Sequence, residues 1–279
     1  KSTSRLAHRS LDWRVCLPAR IVLWLIRLPI KNLLCHIFCL YCWVCARWLG
    51  CGMREHLSYR DGFLATMKFT LDCRLCPRLA IFLDEVKSLQ PDYFARPVPS
   101  FGKEKSPFLI VGLAPGMHGA NRTGRPFAGD FAGMLLYESL HKFGFATSGE
   151  PLDADNNANP KLHLKNCRIT NAVRCLPPQN KPEPAEVKAC NGYVAEELAM
   201  LPKGGAVMAL GTIAHNAVLM ALQLRKADFA FSHGAQHPLP NGTTLFDSYH
   251  CSRYNTQTKR LTKAMFEDVI ASVSAHLKL

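Results

Sequence analysis

The sequence predicts an α/β domain built on a largely parallel sheet of four strands with helices on both faces. Three observations predict it. Short apolar runs that read as buried strands alternate with stretches of helical period, the order of a parallel sheet. Three of those runs end in polar loops bearing Asn or His, at the strand ends where open α/β sheets bind ligands. The 279 residues, 48% of them apolar, suffice for one large domain of this kind or two small ones.

Taken in order, residues 1–66 read unlike the rest. They hold ten Lys/Arg against three Asp/Glu, or +7 of the chain's +13, which leaves 24 minus 18, or +6, for the other 213 residues. A basic excess of this kind favours a polyanionic partner such as nucleic acid. The stretch 21–49 is rich in Leu, Ile, Trp and Cys, but Arg27, Lys31, His36 and Arg47 interrupt it and Pro29 lies inside. Its longest uncharged run, Asn32 to Ala46, is short of a membrane span. Residues 1–66 are therefore expected to be an extension with no fold of its own, with a natural start at Met53 or Met67 and the functional domain over 67–279. Membrane anchorage of that stretch is the other reading.

The first strand is Phe108 to Val111 with Leu113, and a helix pattern runs from Phe131 to Phe143. Between them lies Gly112-Leu-Ala-Pro-Gly-Met-His-Gly-Ala-Asn-Arg-Thr-Gly-Arg-Pro-Phe-Ala-Gly-Asp130, a strand-to-helix loop with five glycines. Glycines let backbone N–H groups come close to a ligand, while Arg122, Arg125, His118, Asn121 and Asp130 supply polar chemistry. A second strand, Cys167 to Val173, ends in Asn171-Ala-Val-Arg-Cys175-Leu-Pro-Pro. After a Pro-rich linker, Pro184 opens an amphipathic helix through Val194 and Leu198. Gly204 to Leu210 is the third strand, followed by Gly211 and by Thr212, placed to cap a helix from Ile213 to Leu224. Thr244 to Tyr249 is the fourth, ending in His250-Cys-Ser-Arg-Tyr-Asn255, and the last helix runs from Leu261 to Leu277.

Six of the twelve cysteines lie in residues 1–66, where the spacing of Cys39, Cys42 and Cys45 lacks the fourth ligand of a ferredoxin run. Cys73-Arg-Leu-Cys76 is a metal-type pair, able to grip one ion from a single turn. Cys175 and Cys190, flanking the Pro-rich loop, are the partners such a pair needs. Four thiolates hold zinc or an iron–sulfur cluster, and spacing alone does not choose. Cys167, on a strand, reads as a small core residue.

Together, Gly112-Leu-Ala-Pro-Gly, Gly119 to Asp130, Thr170-Asn-Ala-Val-Arg-Cys-Leu-Pro-Pro and Ser248-Tyr-His with Asn255 resemble the type 5 uracil-DNA glycosylases, over roughly Cys73 to the C-terminus. The neighbouring type 4 group usually has Glu where this chain has Leu113. The resemblance implies a three-layer α/β/α sandwich on a four-stranded parallel sheet, and a 4Fe-4S cluster on Cys73, Cys76, Cys175 and Cys190. It implies an enzyme of base excision repair that acts as a monomer on DNA in a bacterial-type cytoplasm. That enzyme hydrolyses the N-glycosidic bond of uracil, and of other deaminated bases such as hypoxanthine, leaving an abasic site.

Such a reaction builds positive charge on the sugar and negative charge on the departing base, and requires the base to leave the stack. By motif position, Phe127 stacks on the base, Asn171 reads its edge and His250 donates to its oxygen. Asp130 orients water or balances the sugar cation. Gly112, Ala114, Gly116, His118, Asn121, Ser252 and Asn255 complete the substrate site, and Arg122, Arg125, Arg253, Lys259 and Arg260 are placed for phosphates. Each has a plainer reading: Phe127 as core, Asn171 as a turn residue, His250 as a buried histidine, Asp130 as a helix cap, and the cations as solvated charges. Cys251 stands where the family has Pro, which puts the loop after His250 in question. No lysine nucleophile is evident, which argues against strand cleavage. The other readings are a type 4 enzyme limited to uracil and an iron–sulfur DNA-binding protein without activity.

Overall fold

The computed structural model describes residues 68–279. The cysteine spacing near Cys39, the apolar stretch 21–49 and both proposed starts lie outside them. Five residues each form strands β1 (Phe108–Gly112), β2 (Cys167–Asn171) and β3 (Ala206–Leu210). A short β4 (Gln236–Pro238) precedes β5 (Thr244–Ser248). The sheet order is β2-β1-β3-β5-β4; the first four are mutually parallel and β4 is antiparallel on the edge of β5. The parallel core is that expected from the sequence; the count of four is corrected to five. Gln236 and Pro238 are exposed, so β4 lacks the apolar run that marks the others.

Alternation along the strands explains the layers, because successive side chains point to opposite faces. Phe108, Ile110, Ile169, Met208 and Phe246 turn toward Leu136, Tyr137 and Leu140 of α3 (Phe131–Lys142) and toward Phe266, Ile270 and Val273 of α7 (Lys263–Leu277). Leu109, Val111, Val207, Ala209 and Leu245 pack against α4 (Pro184–Ala199) and α5 (Thr212–Ala221) through Val194, Leu198, Ala214 and Val218. A third cluster joins Leu79, Leu83 and Val86 of α1 (Pro77–Leu89) to Val173, Val187 and Tyr193. Two short helices complete the set, α2 (Ala120–Thr123) and α6 (Arg253–Gln257). Among the described residues no helix is long and apolar enough to cross a membrane.

Local chemistry sets the ends. Helix α4 starts with Pro184 at its first turn and a reciprocal capping box between Glu183 and Glu186. Thr262 accepts from the Met265 N–H at 3.2 Å and so fixes the start of α7 two residues after the predicted Leu261. The expectation that Thr212 caps α5 is corrected: Thr212 is inside the helix and Gly211 precedes it at φ +92° without a side-chain cap. That left-handed turn brings Gly211 against the Cβ of His250. Under β2, Glu197 gathers Arg168 at 2.5 Å, Arg174 at 2.9 Å and the Ser100 hydroxyl. Glu197 and Arg174 are buried, so removing one partner would strand the other's charge in the interior.

Candidate active site

The carboxyl ends of β1, β2 and β5 surround a cavity of about 500 Å³ lined by Leu113, Ala114, Gly116, Phe127, Asp130, Phe131, Ala132, Asn171, Asn180, His250, Ser252 and Arg253. Its size suits a small planar ligand with room to spare. Asp130 precedes α3, but its side chain makes no cap hydrogen bond. The carboxylate turns back into the 112–130 loop, where Oδ2 accepts from the Ala120 N–H at 3.1 Å. Glycine makes this possible. A Cβ on Gly116 would stand 2.2 Å from Asp130 Oδ1, and one on Gly119 2.0 Å from it. Burial raises the Asp130 carboxyl above its ordinary value, opposed by backbone N–H groups of Ala120 and Gly116 and by the charge of Arg122.

Phe127 has φ +62°, a conformation that side chains resist, and its ring is buried. The chain secures it from below, since a Cβ on Gly133 would stand 1.9 Å from the Phe127 carbonyl oxygen. Gly112, buried beneath, leaves space for both the Phe127 ring and Asn171, each within 2.6 Å of where its Cβ would be. Asn171 is 4% exposed, and its Oδ1 has no hydrogen-bond partner. An unpaired buried acceptor in a cavity wall is costly unless a ligand supplies the donor.

His250 follows β5, its ring nearly parallel to that of Phe127 at 29° with centroids 6.2 Å apart. Burial pushes its pKa down to about 4, so the ring is neutral at physiological pH. The loop after it is well tied despite Cys251. Asn255 Nδ2 donates to the His250 carbonyl at 2.8 Å, and Ser252 Oγ caps α6 by accepting from the Asn255 N–H at 3.4 Å. Cys251 points into the core with no exposure, and burial pushes its thiol up to about 12. Asn255 thus supplies a restraint that does not depend on Pro at 251.

Not every predicted site residue faces the cavity. His118 is exposed and shares a hydrogen bond between its Nδ1 and the Tyr93 hydroxyl at 2.8 Å, while Asn121 is fully buried with neither side-chain atom bonded. Arg122 donates to the carbonyls of His118 and Asn156, and Arg125 to that of Asn159 while stacking over Phe101 at 4.5 Å. Both arginines therefore bind the 112–130 loop to the 153–159 loop. Arg253 lies over Phe131 at 5.0 Å on the cavity rim, Arg260 covers Tyr249, and Lys259 is exposed. Sequence reasoning missed Leu113, Phe131, Ala132 and Asn180 as lining residues. The first three sit beside motif residues, whereas Asn180 belongs to the Pro-rich linker and carried no signal.

Cys73, Cys76, Cys175 and Cys190 converge around a second, small cavity with Phe69, Leu79, Val173 and Tyr193. All four are free thiols. Cys190 Sγ accepts from the Arg174 N–H at 3.4 Å and Cys73 Sγ from the Tyr193 hydroxyl at 3.3 Å. Burial pushes the thiols of Cys76, Cys175 and Cys190 up, Cys190 to about 11, so a metal must displace their protons. One zinc at about 2.3 Å from each sulfur would draw four sulfurs to about 3.8 Å of one another. Among the described residues, the group that brings three metal-ligating atoms within 4.8 Å is instead His215, His237 and Asp247. Those three are already hydrogen-bonded to each other at 2.8 and 3.1 Å. Four thiols around one cavity are the donor set of a zinc site or of an iron–sulfur cluster, whose thiolates bind separate irons. Cys167 stands apart in the core cluster of β2.

Comparison with known proteins agrees with this arrangement. The family described as Uracil DNA glycosylase superfamily matches residues 99–274. The chain is 46% identical over 216 residues to a type-5 uracil-DNA glycosylase of Thermus thermophilus, covering 76% of this chain and 95% of that protein. It is 37% identical over 210 residues to a type-5 uracil-DNA glycosylase of Pyrobaculum aerophilum, covering 74% and 89%. A type-4 uracil-DNA glycosylase of the same organism is 36% identical over only 137 residues, 49% of this chain.

Proposed function

The chain belongs to the uracil-DNA glycosylase superfamily and to its type 5 group, and from that premise we propose that it hydrolyses the bond between deoxyribose C1′ and uracil in DNA. The observation that carries the proposal is the unpartnered, buried Oδ1 of Asn171 in the wall of a cavity floored by Phe127. An extruded uracil presents N3–H beside O4, a donor and acceptor that one asparagine amide matches. Phe127 supplies the surface on which the base stacks.

The chemistry follows from the other two groups. As the C1′–N1 bond breaks, its electrons move onto the base, and the neutral His250 ring donates an N–H to the uracil oxygen where that charge gathers. Water attacks C1′ and loses a proton to solvent, leaving a free uracil anion and an abasic sugar. Asp130, its side chain held by the Ala120 N–H, orients that water and, as the carboxylate, faces the positive charge on the sugar. Hypoxanthine offers the same adjacent carbonyl and N–H pair as uracil, and a cavity of about 500 Å³ accepts its second ring. It is the second substrate we propose.

Cys73, Cys76, Cys175 and Cys190 would hold a 4Fe-4S cluster, which ties the segment before α1 to the Pro-rich loop. It supplies no step of the reaction. The working unit we propose is residues 67–279 acting as a monomer. Its compartment is a bacterial-type cytoplasm, where the DNA lies. The test is single-turnover release of free base from duplexes containing uracil or hypoxanthine. Wild type should release both, and Asn171→Ala should lose on the order of a hundredfold or more. DNA binding without base release would favour a non-catalytic protein instead.

A further inference from the structure

We propose that Asn180 contacts the DNA backbone at the mouth of the cavity, donating its side-chain amide to a phosphate flanking the flipped nucleotide. This rests on the reading of the cavity as a base pocket. Asn180 lies in the linker between Cys175 and Cys190, yet it lines the same cavity as Asn171 and His250. Asn171 is buried, whereas Asn180 is exposed. The buried wall meets the base, so groups at the mouth meet what stays outside, the sugar and its phosphates. An asparagine amide is a common donor to phosphate oxygens.

The backbone shows that this position is imposed. Gln179 and Asn180 both have φ +56°, two successive left-handed residues without a glycine. Asn adopts that conformation readily, but Gln179 does so at a cost and is held there only where its surroundings over-determine it. Here the restraint is Arg78, two residues after Cys76. It donates to the Lys181 carbonyl at 3.3 Å and makes two 2.8 Å bonds to Glu186 on the far side of the loop. One side chain on the helix that starts at the cysteine pair therefore buckles the loop that carries Asn180. The cysteine centre and the cavity are joined through it.

The test uses the full chain and a duplex with a tetrahydrofuran abasic analogue, in which the phosphate on one or the other side of the analogue is a neutral methylphosphonate. Asn180→Gly keeps the left-handed backbone and removes the amide, and it should bind the unmodified duplex roughly tenfold or more weakly. At one flanking phosphate the methylphosphonate should weaken wild type by a similar factor and Asn180→Gly no further. Asn180→Asp, of the same shape but negative, should bind more weakly than Asn180→Gly. Wild-type affinity in Asn180→Gly, or losses that multiply in full at both phosphates, would overturn the proposal. Circular dichroism confirms that each variant is folded. Binding is read without base release, so a wild type that shows the interference but frees no uracil would refute the pocket's chemistry and leave this contact standing.

Discussion

Replacing Gly116 with alanine separates the position of the Asp130 carboxylate from its presence. The new Cβ would stand 2.2 Å from Oδ1, and an ordinary contact is about 3.4 Å, so the carboxylate must retreat by about 1.2 Å. It is the end of a side chain, so the retreat is cheap for the fold. The loss is at most its backbone bonds from the Ala120 and Gly116 N–H groups, about 0.5–1.5 kcal/mol each. For the reaction the same displacement is severe: a misplacement near 1 Å costs about a hundredfold in rate, or about 2.7 kcal/mol. Gly116→Ala should therefore release uracil about a hundredfold more slowly in single-turnover assays, with a thermal midpoint lowered by only a few degrees and abasic-DNA binding nearly intact. Release within about threefold of wild type would refute the claim that this carboxylate acts from its observed place.

Three other outcomes follow from the same geometry. Asp130→Asn should lose uracil release while becoming more stable at neutral pH. Burial raises this carboxyl, so its stabilising contribution is complete at low pH and lost as pH rises through the raised folded value; the buried carboxylate is a cost above it. The gain in thermal midpoint should vanish on acidification, and an unchanged midpoint at pH 7 would contradict the burial argument. Cys175→Ser should abolish the brown colour and iron content of the purified protein, and Cys167→Ser should not; one equivalent of zinc in colourless wild type would exclude the cluster. Protein beginning at Met67 should release uracil at the full-length rate, and loss of iron or activity in it would give residues 1–66 a role.

Much of this was legible in the sequence because the parallel strands are short continuous apolar runs bounded by turn residues, the pattern that burial on both faces imposes. The edge strand at Gln236 was not, since an exposed three-residue strand has no pattern to show. The glycine-rich loop announced a site, but not why its glycines stand where they do. Residues 116 and 119 keep two Cβ atoms out of the space of one carboxylate, a fact of three dimensions. Asp130 in sequence is an ordinary capping residue, and only its orientation shows that the cap bond is not made. That Arg122 and Arg125 also bond carbonyls 34 residues on, Asn156 and Asn159, has no mark in the sequence. Asn180 had no motif to mark it. It reaches the cavity because prolines and Arg78 fix a loop whose path the sequence does not state.

Hydrolysis at C1′ within the cavity is tested most directly by the fate of water oxygen. Wild type is incubated with uracil-containing duplex in water enriched in ¹⁸O, and the products are read by mass spectrometry before exchange is complete. Hydrolysis should give free unlabelled uracil, an intact strand and one ¹⁸O at the abasic sugar. Strand cleavage, label on the base, or no release of uracil would contradict it.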